Sequence, residues 1–199
     1  MLRMMVHDAD GTLFSDAELL RALNDGQRDI AVKGLCCESV QALTATPATR
    51  GIAVTCITTM AIEYVPVSGS RKMLIKITPT KIGHNPVQGN TPMYWFPWGG
   101  SVYIDPIPAS AYTFNAYTAI TSVDMVNATD TPGIPNYAVP FLLLYGVFRC
   151  NLKRKQFATA KHVYDVYKMG LKRIRDSILV KYANTRADRL VPDEIEARQ

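Results

Sequence analysis

The residues with the clearest chemical potential lie near the start of the chain, which reads Asp8-Ala9-Asp10-Gly11-Thr12-Leu13-Phe14. Two carboxylates two residues apart, followed by Gly-Thr, form a pattern suited to phosphoryl transfer. In that chemistry the first carboxylate attacks phosphorus, the second handles the leaving-group proton, and the chain turns beneath the phosphate. The same residues also suit a turn that leads into a capped helix. The surrounding sequence must decide between an enzyme and a structural protein.

The enzyme hypothesis, in which this stretch resembles the nucleophile loop of haloacid-dehalogenase-type phosphatases, makes further demands on the chain. The attacking carboxylate needs a buried strand before it, but only Met4, Met5 and Val6 precede His7. Bound Mg²⁺ needs further carboxylates after a later apolar strand, and no such acidic pair is found there. Strands and helices also fail to alternate as they do in a doubly wound sheet. The phosphatase is therefore the weaker hypothesis.

Composition limits the remaining classes of protein. The 199 residues are 48% hydrophobic and 20% charged, which is enough to build a core of one or two domains. We expect no transmembrane helix and no signal peptide. Neither the cysteines nor the histidines have metal-ligand spacing, so we expect no metal, no cofactor and four reduced, mostly buried thiols. The cysteines are Cys36, Cys37, Cys56 and Cys150.

A helix is predicted from Ser15 to about Lys33. Ser15 and Glu18 have the spacing of a capping box, in which each side chain binds a backbone amide of the other. Gly34 is the expected stop. An apolar face at helical spacing is formed by Leu19, Leu20, Leu23, Ile30 and Ala31.

A β-rich segment follows, from Val40 to about Met125. Threonine, valine, isoleucine and tyrosine dominate it, and proline and glycine turns interrupt it at regular intervals. Gly99-Gly100 is typical of a two-residue hairpin loop. The predicted strands cover 41–46, 52–65, 71–78, 101–105 and 112–123.

Two further helices are predicted, at 137–151 and 154–183. The first is apolar on nearly every side and is expected to be central. Residues 184–199 have no periodicity and contain Pro192, so they are expected to form an extended tail. The second helix carries an apolar stripe at spacings of three and four, formed by Phe157, Ala160, Tyr164, Tyr167, Leu171, Ile174 and Ile178.

The predicted fold class is therefore α+β. One N-terminal and two C-terminal helices form an antiparallel helical bundle, into which an antiparallel β-sandwich or barrel-like module is inserted. The expected domains are a discontinuous helical domain (1–35 and 131–183), the β module (36–130) and the C-terminal tail (184–199).

In this order of elements the chain resembles the head-to-tail adaptor, or connector, proteins of tailed bacteriophages. The likeness rests on the opening helix 14–30 with its Glu-Leu-Leu, Leu-Asn and Gln-Arg groups. It continues through 89–108, which contains Met-Tyr-Trp and Tyr-Ile-Asp-Pro-Ile-Pro, and ends with 135–145 and the basic helix.

The resemblance implies a non-enzymatic virion protein that forms a homo-oligomeric ring, usually of twelve copies, beneath the portal protein. Such a ring extends the channel through which viral double-stranded DNA passes without sequence specificity. It also offers an attachment surface to a tail, nozzle or tail-tube protein. The implied location is the virion neck, after assembly in the host cytoplasm, with no membrane partner.

The resemblance further implies that the C-terminal segment 184–199 docks into clefts of the portal. Apolar anchors flanked by charged side chains suit a segment that becomes ordered on a partner. The residues of this predicted docking arm are Arg186, Arg189, Leu190, Val191 and Ile195.

A basic cluster between Arg149 and Arg175 has two interpretations. The cations either contact phosphates or form a solvated or subunit-facing side of the helix. An acidic portal surface is a further candidate partner. The residues predicted for a charged or DNA-facing interface are Lys153, Arg154, Lys155, Lys161, Lys172 and Arg173.

An aromatic cluster in the β module also has two interpretations. It forms either a platform on which sugars or bases stack or the core of a small β module. The first gives an alternative function, a virion protein that binds carbohydrate through its β module. The cluster consists of Tyr94, Trp95, Phe96, Trp98 and Tyr103.

Overall fold

The computed structural model describes residues 2–79, 88–89, 91–127 and 129–187, without the side chains of 88, 89 and 184–187. The fold is mixed α+β, as predicted. The chain divides into two compact units. The helical unit comprises Met1–Cys37 and Ile120–Ile178, and the β unit comprises Glu38–Ala119 and Leu179–Gln199.

The described residues contain four α-helices. A short helix that the sequence analysis did not predict, α1, precedes the three expected ones, and a 3-10 turn at Asn136–Ala138 leads into the third. The helices are α1 (Leu2–Met5), α2 (Asp16–Gly34), α3 (Val139–Lys153) and α4 (Phe157–Ala187).

The start of α2 confirms the predicted capping box. The Glu18 amide donates to Ser15 Oγ at 3.2 Å, and the Ser15 amide donates to Glu18 Oε2 at 3.0 Å. α2 ends at Gly34, the predicted stop, although the residue in the left-handed conformation is Leu35, with φ of 57°. Gly34 packs closely, since a Cβ there would lie 3.3 Å from Leu171 Cδ1.

The two C-terminal helices are shifted along the chain from their predicted positions. Lys155 has a φ of 59°, so the break between α3 and α4 falls later than expected. At its other end α4 continues through 184–187, which had been assigned to the tail. No proline or glycine lies between Gly170 and Pro192, and alanine and arginine favour helix. Residues 188–199 lie outside the described residues.

The core of the helical unit confirms most of the apolar stripe of α4. Ala160, Tyr167, Leu171, Ile174 and Ile178 are all buried, and burial of each large aliphatic side chain contributes about 1.5–3 kcal/mol. The Tyr167 hydroxyl donates to Asp29 Oδ2 at 2.6 Å, and burial together with this bond raises the pKa of Tyr167. Tyr164 is only half-buried. Phe157 is 65% exposed because it is the first residue of the helix.

The β unit consists mainly of short antiparallel strands. One sheet has the order β1-β10-β3-β4, a second has β2-β8-β7-β5, and β6 pairs with β9. The strands are β1 (Glu38–Ala45), β2 (Gly51–Ala53), β3 (Thr58–Val65), β4 (Lys72–Met73), β5 (Ile75–Lys76), β6 (Gln88–Gly89), β7 (Tyr94–Trp98), β8 (Ser101–Asp105), β9 (Ile107–Pro108) and β10 (Tyr112–Ala119).

Several predicted strands differ from those in the structure. Residues 52–65 form two strands rather than one, because the chain leaves one sheet and enters the other at 54–57. The strand predicted at 71–78 is reduced to two short pairings. The pairs β5–β7 and β6–β9 are parallel, contrary to the expectation of a wholly antiparallel module.

Both four-stranded sheets contribute to one apolar cluster. Leu43, Ile62 and Phe114 come from the first sheet, and Trp95 and Ile104 come from the second. The predicted hairpin is confirmed, since β7 and β8 pair in antiparallel fashion on either side of the two glycines. Positive φ angles at both glycines, 56° and 77°, match the right-handed twist of the strands.

We predict that Gly170→Ala destabilises the protein although alanine favours helix over glycine. A Cβ at this position in α4 would lie 1.9 Å from Cε1 of Phe141 in α3, and such overpacking costs about 1–3 kcal/mol. The free energy of unfolding, measured in urea, should fall. Ser177→Ala, on an exposed side of α4, should leave it unchanged or slightly raised. A stabilised Gly170→Ala variant would contradict this packing.

Candidate functional site

The carboxylate of Asp8, the nucleophile of the phosphatase hypothesis, is fully engaged in a loop rather than placed at the end of a strand. Its side chain is 1% exposed. One oxygen accepts the Leu13 amide at 2.9 Å, and the other accepts the Phe14 amide at 3.1 Å and Arg3 Nη1 at 2.9 Å. The Leu13 amide is the largest of the contributions that lower the pKa of Asp8. The aspartate therefore closes the turn that precedes α2.

Two of the predicted interface cations hold the same turn in place. Phe14 is 3% exposed, and its ring centroid lies 5.1 Å from Lys153 Nζ and 5.2 Å from Arg154 Cζ. Lys153 Nζ also donates to the Leu13 carbonyl at 3.3 Å and to Glu18 Oε1 at 2.6 Å. Lys153 and Arg154 thus connect the end of α3 to the start of α2.

The other predicted cations are exposed and lie further along the chain. Lys155 occupies the break between α3 and α4, and Lys161, Lys172 and Arg173 lie on α4. Lys161 and Lys172 are on one side of that helix, because eleven residues are close to three complete turns. Arg173 is the next residue and points about 100° away. The structure therefore separates the predicted cluster into two parts with different surroundings.

The docking-arm residues are largely outside the described part of the chain. Arg186 lies in the last turn of α4, and only its backbone is described. The remaining four, Arg189, Leu190, Val191 and Ile195, lie outside the described residues.

A pair of amide side chains on α2 forms a clamp that the sequence analysis missed. Gln27 is fully buried; its Nε2 donates to the Val123 carbonyl at 2.7 Å, and its Oε1 accepts the Gly133 amide at 3.2 Å. Asn24 binds both the amide and the carbonyl of Met125, at 3.0 and 2.9 Å. This amide clamp fastens residues 123–133, whose described members are in neither helix nor strand. The available signal was Gln27 itself, a polar residue within the apolar face of α2.

An ion pair extends the amide clamp by one further residue. Arg28 Nε donates to Asp124 Oδ1 at 2.9 Å, and its Nη2 binds the other carboxylate oxygen. The hydrogen bonds from Arg28 are the main reason that the pKa of Asp124 is lowered. The Leu-Asn and Gln-Arg groups of the opening helix therefore hold the segment that leads back to α3.

The aromatic cluster does not form one continuous platform. Trp95 and Phe96 are buried, and Phe96 stacks on Tyr103 with 5.0 Å between ring centroids. Only Trp98 is strongly exposed, at 63%, beside a cleft of about 210 Å³. The core interpretation therefore accounts for Trp95 and Phe96, and the carbohydrate alternative rests on Trp98 alone.

Cys36, Cys37 and Cys150 are buried, as expected, and none of the four cysteines forms a disulfide. Among the described residues, no group of three or more His, Cys, Asp or Glu side chains is arranged to hold a metal ion. No described helix combines the length and hydrophobicity that crossing a membrane requires.

We predict that Asp8→Asn lowers the urea midpoint of unfolding at pH 7, whereas Asp10→Asn, in the exposed part of the same loop, does not. Because folding lowers the pKa of Asp8, its contribution is fully present above the unfolded pKa of about 4 and is lost as the pH falls through the lower folded value. The difference between wild type and Asp8→Asn should therefore shrink in acid. Mg²⁺-dependent phosphate-ester hydrolysis that Asp8→Asn abolishes would contradict the structural role.

A second prediction concerns the amide clamp. Gln27→Leu leaves the Val123 carbonyl and the Gly133 amide without their partner, and each unsatisfied buried group costs about 1–3 kcal/mol. Amides in 123–133 should also exchange hydrogen faster. Arg21→Leu, on the exposed side of α2, should change stability by less than about 0.5 kcal/mol. Unchanged exchange in Gln27→Leu would show that the clamp is not what holds this segment.

Comparison with known proteins supports the structural interpretation. A family model described as "SU10 adaptor protein" matches residues 2–191, and no curated protein matches the chain. The matched residues include the opening helix, the β-rich segment and both closing helices. The chain therefore belongs to the SU10 adaptor protein family, a family of phage head-to-tail adaptors.

Proposed function

We propose that this virion adaptor works as a ring, usually of twelve copies, beneath the portal protein. The ring extends the DNA channel and gives a tail, nozzle or tail-tube protein its attachment surface. The observation that carries this proposal is the family match over residues 2–191. Membership in an adaptor family implies portal and tail partners and a place in the virion neck.

The proposed role is non-enzymatic. The family is one of structural adaptors rather than enzymes. Asp8 supports the same conclusion, because its two oxygens are both occupied by groups of its own chain. Four free cysteines are consistent with assembly in the host cytoplasm, where thiols stay reduced.

We further propose that the helices form an antiparallel bundle domain (1–35 and 131–183) and that 36–130 form an inserted β-sandwich. In support, the two units contain separate apolar clusters. A sandwich is favoured within the β unit because both four-stranded sheets contribute side chains to one cluster.

The portal-docking role is proposed for the segment that follows α4. Because α4 includes residues 184–187, the proposed arm is restricted to residues 188–199, which lie outside the described residues. Pro192 disfavours continued helix, and the short sequence has too few apolar residues for a core of its own. Leu190, Val191 and Ile195 are the proposed anchors, with Arg189 setting the register.

The experiment uses tailless, DNA-filled heads that lack this protein but carry the portal. Wild-type protein should co-sediment with the heads, and the bound assembly should have a mass near twelve times the 22.1 kDa subunit. Deletion of 188–199 should leave the subunit folded but abolish retention. The anchor variant Leu190→Ser, Val191→Ser, Ile195→Ser should do the same.

A matched triple variant serves as the control for this experiment. Asp188→Ser, Glu196→Ser and Gln199→Ser change the same segment without touching an anchor and should retain attachment. Normal attachment of the anchor variant would refute the docking arm. Failure of the wild type to bind portal-bearing heads would refute the adaptor function itself.

A further inference from the structure

We propose that one side of α4 binds the phosphate backbone of duplex DNA. This basic stripe consists of Lys161, Lys168, Lys172 and Arg175. The presence of DNA beside the protein rests on the proposed function, but the stripe itself is identified from charge pairing and helix geometry. The proposal makes DNA the partner of part of the basic cluster between Arg149 and Arg175, for which the sequence left several alternatives.

Almost every carboxylate in the described ranges is already neutralised by the chain itself. Arg3, Arg28 and Lys153 are examples of the cations that pair with them within 4 Å. Among the described residues, the carboxylates outside such ion pairs are Asp10, Asp130 and Asp176. Asp130 is itself held by two backbone amides. The described surface therefore offers few free negative charges.

Most cations of the basic stripe, in contrast, are not neutralised by ion pairs within the described residues. Lys161, Lys172 and Arg175 are exposed, and none forms an ion pair with a described carboxylate. Asp165 lies on the same helix, but its carboxylate pairs with Lys168 at 2.9 Å. Lys168 is therefore neutralised, and Asp176 is an exposed acid beside Arg175. The unpaired positive charge of the stripe is carried by Lys161, Lys172 and Arg175.

The four side chains follow one side of the helix because their spacing is seven, four and three residues. At a rise of about 1.5 Å per residue, the stripe is about 21 Å long. Duplex DNA carries one charge per strand for about every 3.4 Å of its axis, so the same length of duplex contains about six phosphates per strand. The length and the repeated charge of the stripe therefore match a phosphate backbone.

A second copy of the chain is a poor partner for this stripe. The described surface of a neighbouring copy has few unpaired carboxylates, and its own stripe would repel an identical one. The anion must therefore come from another molecule or from the acids of residues 188–199, which lie outside the described residues. The experiment below distinguishes these sources.

The side-chain chemistry suits a phosphate backbone. Three of the four residues are lysines, which act as hydrated point charges and bind phosphate without a fixed orientation. Contacts to phosphates carry no sequence information, so binding through them is independent of sequence. Such contacts allow DNA to slide.

The test measures binding of the full-length protein to a fluorescent 30-base-pair duplex of random sequence, by anisotropy over a series of salt concentrations. The stripe variant carries Lys161→Gln, Lys172→Gln and Arg175→Gln. Its affinity should fall at least tenfold at low salt, and the slope of log K against log salt should decrease by about 2–3.

The matched control carries Arg21→Gln, Lys72→Gln and Lys155→Gln. These three residues are exposed and, like those of the stripe, form no ion pair with a described carboxylate. The control removes the same net charge from outside the stripe. If the stripe binds the DNA, the slope of log K against log salt should change by less than half as much in the control as in the stripe variant. Equal losses in the two variants would mean that only net charge matters and would overturn the proposal.

Two further outcomes identify a different partner and would also overturn it. Poly-glutamate of equal charge that binds more tightly than DNA would indicate an acidic protein surface. DNA binding that appears only after deletion of 188–199 would indicate that this acidic segment occupies the stripe. The stripe variant should still attach to portal-bearing heads, so a failed DNA test leaves the adaptor function standing.

Discussion

The helical unit depends on α2 binding two partners at once. The apolar side of α2 packs into the core with α3 and α4, where Ile30 is fully buried beside Leu142 and Leu171. The amide clamp on the same helix binds residues 123–133 through Asn24 and Gln27. Residues 123–133 follow Asn24 and Gln27 by about a hundred residues in the chain. By binding them, the amide clamp fixes the segment that leads into α3.

The ion pairs that stabilise the fold also determine which charged side chains remain available to a partner. The chain uses nearly all of its described carboxylates to secure its own turns and helices, as Glu18 does with Lys153 and Asp124 does with Arg28. On α4, Lys161, Lys172 and Arg175 remain exposed and outside any ion pair with a described carboxylate. A cation that is paired within its own chain contributes little to attraction of a distant partner, because the pair is nearly neutral beyond a Debye length. The function of the basic cluster accordingly depends on which of its members are paired.

Local sequence signals predicted the elements that local interactions determine. The capping box placed the start of α2, and two consecutive glycines predicted the β7–β8 hairpin. The burial of Gln27 could not be predicted in the same way, because its partners Val123 and Gly133 are about a hundred residues distant. The parallel β5–β7 pair likewise depends on the sheet that surrounds it rather than on its own two residues. The sequence placed Lys153 and Lys172 in one basic cluster. Only the folded chain shows that Lys153 contacts the ring of Phe14.

The Asp8 loop illustrates why a catalytic pattern must be judged by what its atoms contact. A nucleophilic carboxylate needs an oxygen that substrate can reach, whereas a turn-closing carboxylate needs both oxygens bound to its own chain. Asp-x-Asp-Gly-Thr suits either role, because a short acidic side chain and a glycine also favour tight turns. In this protein the Leu13 amide binds one oxygen of Asp8, and the Phe14 amide and Arg3 bind the other. The contacts that stabilise the turn therefore occupy both oxygens of Asp8 with groups of its own chain.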